Sequence, residues 1–354
     1  MNVFISDTPH IRRKRTTKTI MLDVLIALIP ATVAGLVYFG FRAAVTLVIA
    51  IVSSLFTEVV WRLVKKENIK TIFKSFDFTS AVTGLLLGLS LPAFEYKYWY
   101  IPMLCGIFAV GVVKMLFGGT GKNIVNPAIV GRVFGFIAFS SAMVSGWMTP
   151  IFGKIASSTI VSGSTSSTVI SGATPLTSLL FSSTVSDIGI SNIDLFLGTG
   201  VMGCIGETCK LALIVGGIYL VIRKVIKLQW PIIYVVVTGL VSVAMAGSFD
   251  YFLPSILSGG LLLGAIFMAT DYVTSPNNKW ACYVYYTVLG VITALLRFGT
   301  GIEVVSFAIL LMNLIVPLLN ALIRPRPFGA TPIIELIKQK MSKIKLAKET
   351  KEEK

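Results

Sequence analysis

The sequence predicts an all-α, polytopic integral membrane protein. Of its 354 residues, 55% are hydrophobic and only 13% are charged, and the mean hydropathy is +0.85. Apolar runs of roughly twenty residues recur along the chain, which is the length that a helix needs to cross the hydrocarbon core. A transmembrane β-barrel would instead alternate apolar and polar residues. The first apolar run is followed by more spans and by no small-residue cleavage site, so we interpret it as a span and not a signal peptide.

About ten apolar segments are predicted to span the membrane. They lie at residues 20–40, 43–64, 79–94, 99–117, 125–145, 196–222, 231–248, 254–270, 280–296 and 302–323. The third is short and ends at Pro92. The sixth begins with the run from Gly198 to Gly203, which is too rich in glycine for an unbroken helix.

The basic residues lie at the ends of the apolar segments. The net charge is +15. If the chain crosses the membrane ten times at the segments given above, all the basic clusters lie on the same side of the membrane. These clusters are at 12–18, 65–74, 223–227 and beyond 324. The positive-inside rule makes that side cytoplasmic, and this placement argues against a nucleic-acid partner. We predict five regions: a cytoplasmic N-terminus at 1–19, a first five-helix repeat at 20–145, a periplasmic Ser/Thr-rich loop at 146–195, a second five-helix repeat at 196–323, and a basic cytoplasmic tail at 324–354.

A faint internal repeat relates the two halves. The string Gly-Leu-Leu-Leu-Gly occurs at 84–88 and again at 260–264, and Phe-Gly-Gly-Thr-Gly at 117–121 resembles Phe-Gly-Thr-Gly at 298–301. Because five is odd, two five-helix repeats would be inverted in the membrane. Transport folds of that kind place their sites near the midplane, where helices are short or broken.

Cysteine and histidine usage predicts no metal site, and we assign no catalytic residue. A metal or iron–sulfur site at Cys204 and Cys209 stays an alternative, but it would need further ligands. None of the four cysteines forms a C-x-x-C pair, and His10 is the only histidine. A histidine-ligated haem within this chain alone is therefore excluded. The chain also has no Rossmann fingerprint and no ferredoxin cysteine run.

Intramembrane acids are costly and usually functional, which makes four of them candidates for an ion pathway. They are Asp23, Glu58, Glu207 and Asp271. Asp23 and Glu58 lie near span ends, where pairing with basic neighbours is an alternative, and Asp271 has the alternative of capping a turn. Glu207 lies deeper, beside the glycine-rich start of the sixth span, and is the strongest candidate.

Asn123 and Asn126 form an amide pair before the fifth span. Such amides can hydrogen-bond the polar edge of a planar ring ligand. The alternative is purely structural, with Asn123 as the helix N-cap and Asn126-Pro127 as the exit from the loop.

Five segments in order resemble one family: the D-type subunit of the Rnf complex and the related B-type subunit of the sodium-pumping NADH:quinone reductase. These segments are Asp7-Thr8-Pro9-His10 with Thr19-Ile20-Met21, the G-G-x-G-x-N-x-x-N-P-A string at 118–128, Ser-Gly-Ala-Thr at 171–174, Gly203-Cys204-Ile205-Gly206-Glu207-Thr208, and Met268-Ala269-Thr270-Asp271 continuing to Pro276. The short N-terminus favours the Rnf protein.

The resemblance implies covalent FMN, esterified through its phosphate to Thr174 in the motif that Ser171, Gly172 and Ala173 begin. Gly172 and Ala173 leave room around the hydroxyl. One departure is visible, because Thr168 stands where the family usually has an Asp six residues before the esterified Thr. The resemblance also implies a second, non-covalent riboflavin near the Asn123 and Asn126 region.

The expected function follows from the same resemblance. The chain would be a multi-pass flavin subunit in the bacterial inner membrane, relaying electrons between ferredoxin and NAD⁺ in a translocase that moves Na⁺ or H⁺. Its partners would include a periplasm-facing flavin subunit and iron–sulfur subunits. The alternatives are a flavin-free transporter of inverted-repeat fold and a riboflavin permease.

Overall fold

The computed structural model describes residues 16–145, 191–300 and 303–323, and every regular element in these ranges is a helix. This confirms the prediction of an all-α fold. The predicted flavin segment with Ser171, Gly172, Ala173 and Thr174, together with Thr168 and both chain termini, lies outside the described residues.

Helix α1 covers Thr17–Val64, but it contains one break. Thr16 caps its start by accepting a hydrogen bond from Thr19 N. At Gly40 the backbone has φ 63° and ψ −146°, a conformation that glycine adopts readily and other residues rarely do. The break separates two segments that are each long enough to cross a bilayer, and they correspond to the two predicted spans at 20–40 and 43–64.

A helix lies within each of the other predicted spans. The first half continues with α2 (Ile69–Lys74), α3 (Thr79–Ser90), α4 (Tyr100–Ile107, continuing as a π-helix over Phe108–Met115), α5 (Pro127–Ala138) and α6 (Ser140–Ser145). The second half contains α7 (Asn192–Leu197), α8 (Lys210–Ile222), α9 (Gln229–Ala246), α10 (Phe252–Leu257), α11 (Leu261–Leu263, continuing as a π-helix over Gly264–Met268), α12 (Lys279–Thr300) and α13 (Val305–Leu322).

Five helices of the described ranges are long and apolar enough to cross a membrane. They are Thr17–Val64, Tyr96–Met115, α9, α12 and α13, and the bent pair Phe249–Leu257 and Leu261–Met268 makes six if it counts as one span. The apolar helices α3, α5 and α8 are shorter. This composition is that of a polytopic membrane protein.

Broken spans occur where the sequence predicts them and at one further place. The third span is short, with α3 ending at Ser90, and the sixth is irregular from 198 to 209 before α8 begins. The irregular segment is held by backbone hydrogen bonds from Ile205 N to Leu91 O and from Gly206 N to Leu89 O, at 3.1 and 2.7 Å. The eighth span is predicted as continuous, but in the structure it is interrupted at 258–260 and bends by 67°.

Apolar side chains form both the core of the bundle and much of its exposed surface. Buried leucines of the two repeat strings, Leu85–Leu87 and Leu261–Leu263, belong to one core cluster. Large apolar side chains such as Phe41 and Ile222 are 73% and 71% exposed, as expected of a surface that faces lipid tails. The inverted arrangement of the two halves stays a prediction.

Candidate functional site

A cleft opens between the two halves at the end of the bundle that the predicted topology makes cytoplasmic. Its volume is about 800 Å³, counting the part that is open to solvent. Most of its lining is apolar, and a few polar side chains converge on it, among them Asn123, Asn126, Asp271 and Lys114. A mainly apolar lining with a few converging polar groups is typical of sites for small organic ligands.

Asn123 and Asn126 line the cleft, and both also make hydrogen bonds to backbone groups around it. Asn126 is the N-cap of α5, because its Oδ1 accepts a hydrogen bond from Ala128 N at 3.0 Å. Its Nδ2 donates to Met268 O at 3.3 Å, which joins the two halves. The cap is therefore Asn126 and not Asn123, because the helix begins at Pro127, a residue suited to the first helical position. Asn123 Nδ2 donates within its own loop, to Val125 O at 3.0 Å.

Asp271 lies at the mouth of the same cleft, just beyond the end of the broken span. Its carboxylate accepts hydrogen bonds from Thr274 Oγ1 at 3.2 Å and from Val273 N at 3.5 Å, so it caps the following turn. Burial raises the pKa of the Asp271 carboxyl above its ordinary value, and these hydrogen bonds oppose that effect only in part. The sequence left open that Asp271 caps a turn, and the structure shows these capping hydrogen bonds.

Lys114 places a buried cation on the cleft wall. Its Nζ donates to Thr79 Oγ1 and Ser80 Oγ at 2.5 and 2.8 Å and lies 3.5 Å from Glu58 Oε2. Glu58 is 1% exposed and also pairs with Arg62 one helical turn away. The predicted pairing of Glu58 with basic neighbours is therefore observed. Sequence reasoning missed Lys114, although a lysine within the apolar segment 99–117 is a visible signal.

Asp23 also pairs with a basic neighbour. It accepts hydrogen bonds from Arg223 Nε at 3.1 Å and from Tyr219 Oη at 3.2 Å, and the carboxylate is almost completely buried. This contact joins the first helix to the end of α8. Asp23 itself is not one of the residues that line the described cleft.

A second site surrounds Glu207 in the irregular start of the sixth span. Glu207 is 3% exposed, and its Oε1 accepts a hydrogen bond from Arg132 Nη1 of α5 at 2.8 Å. Arg132 Nη2 also lies 3.6 Å from Cys204 Sγ. The carboxylate is thus paired within the membrane, as an acid at such a position requires.

The break in the eighth span contacts the same site. Gly260 faces the Glu207 carboxylate so closely that a Cβ atom would lie 2.4 Å from Oε1. Gly259 faces the carboxylate of Glu303 in the same way, and Glu303 Oε2 pairs with Arg297 Nη2 at 3.1 Å. A side chain at Gly259 or at Gly260 would collide with one of these two carboxylates, so both positions require glycine.

Lys210 completes this group, which we call the buried charge cluster: Arg132, Glu207, Lys210, Arg297 and Glu303. The Lys210 side chain is 3% exposed, and its Nζ donates to Glu207 O and, at 2.8 Å, to Gly259 O. The cluster contains three basic and two acidic side chains. Of its members, sequence reasoning selected only Glu207. It missed Arg132, Lys210 and Arg297 because it searched the spans for acids alone, and it missed Glu303 although that acid lies in the predicted span at 302–323. No group of histidine, cysteine and acidic side chains suited to a metal ion occurs among the described residues.

Known proteins resemble this chain over almost all of its length. The family described as NQR2, RnfD, RnfE matches residues 4–329. The D-type subunit of the Na⁺-translocating ferredoxin:NAD⁺ oxidoreductase complex of Acetobacterium woodii is 36% identical over 336 residues, covering 94% of this chain and 97% of the relative. The D-type subunit of the proton-translocating ferredoxin:NAD⁺ oxidoreductase complex of Clostridium ljungdahlii is 32% identical, covering 93% and 97%.

A third relative, the D-type subunit of the ion-translocating oxidoreductase complex of Marinobacter nauticus, is 31% identical and covers 91% of this chain and 94% of its own length. The matched range includes both the cleft and the buried charge cluster. The resemblance that five sequence motifs predicted is thereby confirmed. The chain belongs to the NQR2, RnfD, RnfE family of membrane proteins.

Proposed function

We propose that this chain is the D-type subunit of an Rnf-type complex and carries electrons between ferredoxin and NAD⁺ partners while the complex moves Na⁺ or H⁺. The observation that carries this proposal is the similarity to D-type subunits over 94% of the chain. The relatives' names include both a Na⁺-translocating and a proton-translocating complex, so similarity leaves the choice of ion open. The chemistry of NAD and ferredoxin falls to partner subunits.

Thr174 is the proposed attachment point of FMN. The supporting observation is the Ser-Gly-Ala-Thr string at 171–174 in the segment that joins the two halves. The structure describes the end of that segment from Ser191, the N-cap of α7. Leu197 O in α7 accepts a hydrogen bond from Tyr38 Oη, which lies near the break in α1. By the predicted topology this end of the bundle faces the periplasm. The cofactor would supply the redox chemistry, and the protein would fix its position.

The cleft is the proposed site of a non-covalent riboflavin. Its mainly apolar lining suits an isoalloxazine ring, and the side chains of Asn123 and Asn126 offer amide groups to the polar edge of that ring. Lys114 would contribute a positive charge on the same wall, and a cation near a flavin favours its anionic reduced form.

The test is in-gel fluorescence of the denatured chain. Thr174→Ala is expected to abolish flavin fluorescence, because the phosphoester has no other proposed oxygen. Thr177→Ala, three residues further in the same string, is the matched control and is expected to keep it. Fluorescence that survives Thr174→Ala would make the site assignment wrong. A wild-type chain without any flavin after denaturation would favour the flavin-free transporter or the riboflavin permease.

A further inference from the structure

Lys210 differs from the other buried basic side chains of the described residues in the chemical type of its hydrogen-bond partners. Arg132, Arg297 and Lys114 each have a carboxylate oxygen within 4.0 Å. The hydrogen bonds of Lys210 Nζ go instead to the backbone carbonyl oxygens of Glu207 and Gly259. A buried ammonium group held by carbonyl oxygens is placed like an ion in a carbonyl-lined site.

Both carbonyl oxygens belong to interruptions of spans. Glu207 lies in the irregular segment at 198–209, and Gly259 lies in the break at 258–260 between α10 and α11. A carbonyl in such a break lacks the intrahelical partner that it would have in a continuous helix. In transport folds, unwound backbone of this kind coordinates alkali cations near the middle of the membrane.

The surroundings of the two carbonyls also favour a cation. The carboxylate of Glu207 lies against Gly260, and that of Glu303 lies against Gly259. Negative charge therefore lies next to both glycines of the break. Ser258, 2% exposed, adds a buried hydroxyl oxygen that has no hydrogen-bond partner among the described residues. Oxygen atoms of carbonyl, carboxylate and hydroxyl groups are the ligands that hard cations prefer.

We propose that the carbonyl oxygens of Glu207 and Gly259 form a monovalent-cation site where two broken spans meet, and that Lys210 fills this site with its own ammonium group. Na⁺ then binds there only when the lysine side chain is neutral or withdrawn. The exchange replaces one positive charge by another, so the net charge of the cluster is unchanged. The proposal deepens the ion-coupling part of the proposed function and does not require flavin.

Lys210→Ala tests the site, because it removes the tethered cation and leaves space for a free one. The probe is NaCl against choline chloride at constant ionic strength and pH, and the readout is the thermal unfolding midpoint of the chain purified within its complex. The midpoint of Lys210→Ala is expected to rise with Na⁺ by at least about 2 °C more than that of the wild type, since binding to the folded state stabilises it.

Two further variants separate a cation site from a simple loss of charge. Lys210→Arg keeps a cation in place and is expected to show the Na⁺ response of the wild type. Lys210→Met removes the charge but fills the space with an apolar side chain, so it should gain no Na⁺ response. A Lys210→Ala variant with the same Na⁺ response as the wild type or as Lys210→Met would overturn the proposal.

A failure of Lys210→Ala to accumulate is also informative. The proposal then requires that Na⁺ in the growth medium and buffers restore its yield relative to choline, and equal loss in both would overturn it. Flavin fluorescence, measured on the same samples, reports on the proposed function separately. A Na⁺ response gained by Lys210→Ala in a chain that carries no flavin would keep the cation site and reject the flavin subunit.

Discussion

At the scale of single residues, two of the most deeply buried carboxylates, those of Glu207 and Glu58, have basic partners. Glu207 pairs with Arg132, and Glu58 pairs with Arg62 and Lys114. A buried ion pair adds little net stability, but removing one partner leaves an unpaired charge and costs about 3–5 kcal/mol. The search for costly acids found Glu207 and Glu58. The same energetic reasoning applies to buried bases, and it would have found Arg132 as well.

Glu207→Gln is expected to lower cation-dependent turnover while flavin content and assembly of the complex persist. Glutamine keeps the shape and can still accept a hydrogen bond from Arg132, but it removes the negative charge beside Gly260. Because glutamine keeps this hydrogen bond in a neutral form, the cost is expected to lie within the about 1.5–3 kcal/mol of a charged hydrogen bond and below that of an unpaired buried charge. The measurement is Na⁺ or H⁺ uptake into vesicles driven by a fixed electron donor, with flavin content determined in parallel.

Glu95→Gln is the matched control for that variant. Glu95 is 45% exposed and pairs with Lys97 at 2.8 Å, and an exposed pair contributes little. Uptake by this control should equal that of the wild type. Normal uptake by Glu207→Gln would instead assign Glu207 to packing, and loss of assembly would assign it to folding.

Asn126→Ala is expected to release the non-covalent flavin and to leave covalent flavin in place. The change also removes the N-cap of α5, which costs about 1 kcal/mol. Ser191→Ala controls for this cost, because Ser191 caps α7 by accepting from Asp194 N at 3.2 Å, away from the cleft. The measurement is riboflavin extracted by denaturation. Equal riboflavin loss in both variants would trace the effect to lost capping, and full retention in Asn126→Ala would remove this residue from the flavin site.

At the scale of helices, two elements connect the cleft to the buried charge cluster. Helix α5 begins after Asn126 at the cleft and carries Arg132 to the cluster. The segment from Gly260 to Asp271 runs from the cluster back to the cleft. Six residues of α-helix rise by about 9 Å, so a shift of α5 that moves one site also moves the other.

Gly260→Ala is expected to lower the unfolding temperature and cation uptake together. A Cβ atom there would lie 2.4 Å from Glu207 Oε1, and overpacking of this kind costs about 1–3 kcal/mol. Gly203→Ala is the control, because a Cβ at Gly203 meets nothing closer than Thr208 Cγ2 at 3.7 Å. The measurements are thermal unfolding and vesicle uptake. If the two variants behave alike, the close contact at Gly260 has no functional weight.

Periodicity and composition predict the helices better than their interruptions. The glycine-rich run before Cys204 and Pro92 in the third span both signal irregular backbone, and the structure agrees. The break at 258–260 lies inside an apolar run but carries a local signal, the string Ser258-Gly259-Gly260, which the prediction of one continuous span did not use. The local string does not show that these two glycines lie against the carboxylates of Glu207 and Glu303. Contacts between residues so distant in the chain are not visible in local sequence.

At the scale of the whole molecule, the apolar exterior and the basic segments define how the chain sits in the membrane. Phe41 and Leu322 are 73% and 71% exposed, which suits contact with lipid tails or with partner subunits. The basic clusters predict cytoplasmic termini and a periplasmic segment at 146–195. That orientation places the cleft inside and the proposed FMN outside.

Thiol labelling in intact cells tests this orientation. A cysteine introduced at Ser166 should react with an impermeant reagent, and one introduced at Lys348 should not. The natural cysteines are suitable background, since Cys105, Cys204 and Cys282 are buried and Cys209 is half-buried. The unmodified chain is the control for their labelling. The reverse labelling pattern would place the segment with Thr174 on the cytoplasmic side.

The mass of the intact purified chain tests the central claim most directly. If the chain is a covalent flavin subunit, its mass exceeds the mass calculated from the 354 residues by that of one FMN joined through a phosphoester. The increment should disappear in Thr174→Ala. It should not decrease in Thr168→Asp, which restores the residue that the family usually has at that position. A wild-type chain that has only the calculated mass, when isolated from cells that assemble the complete complex, would contradict the account.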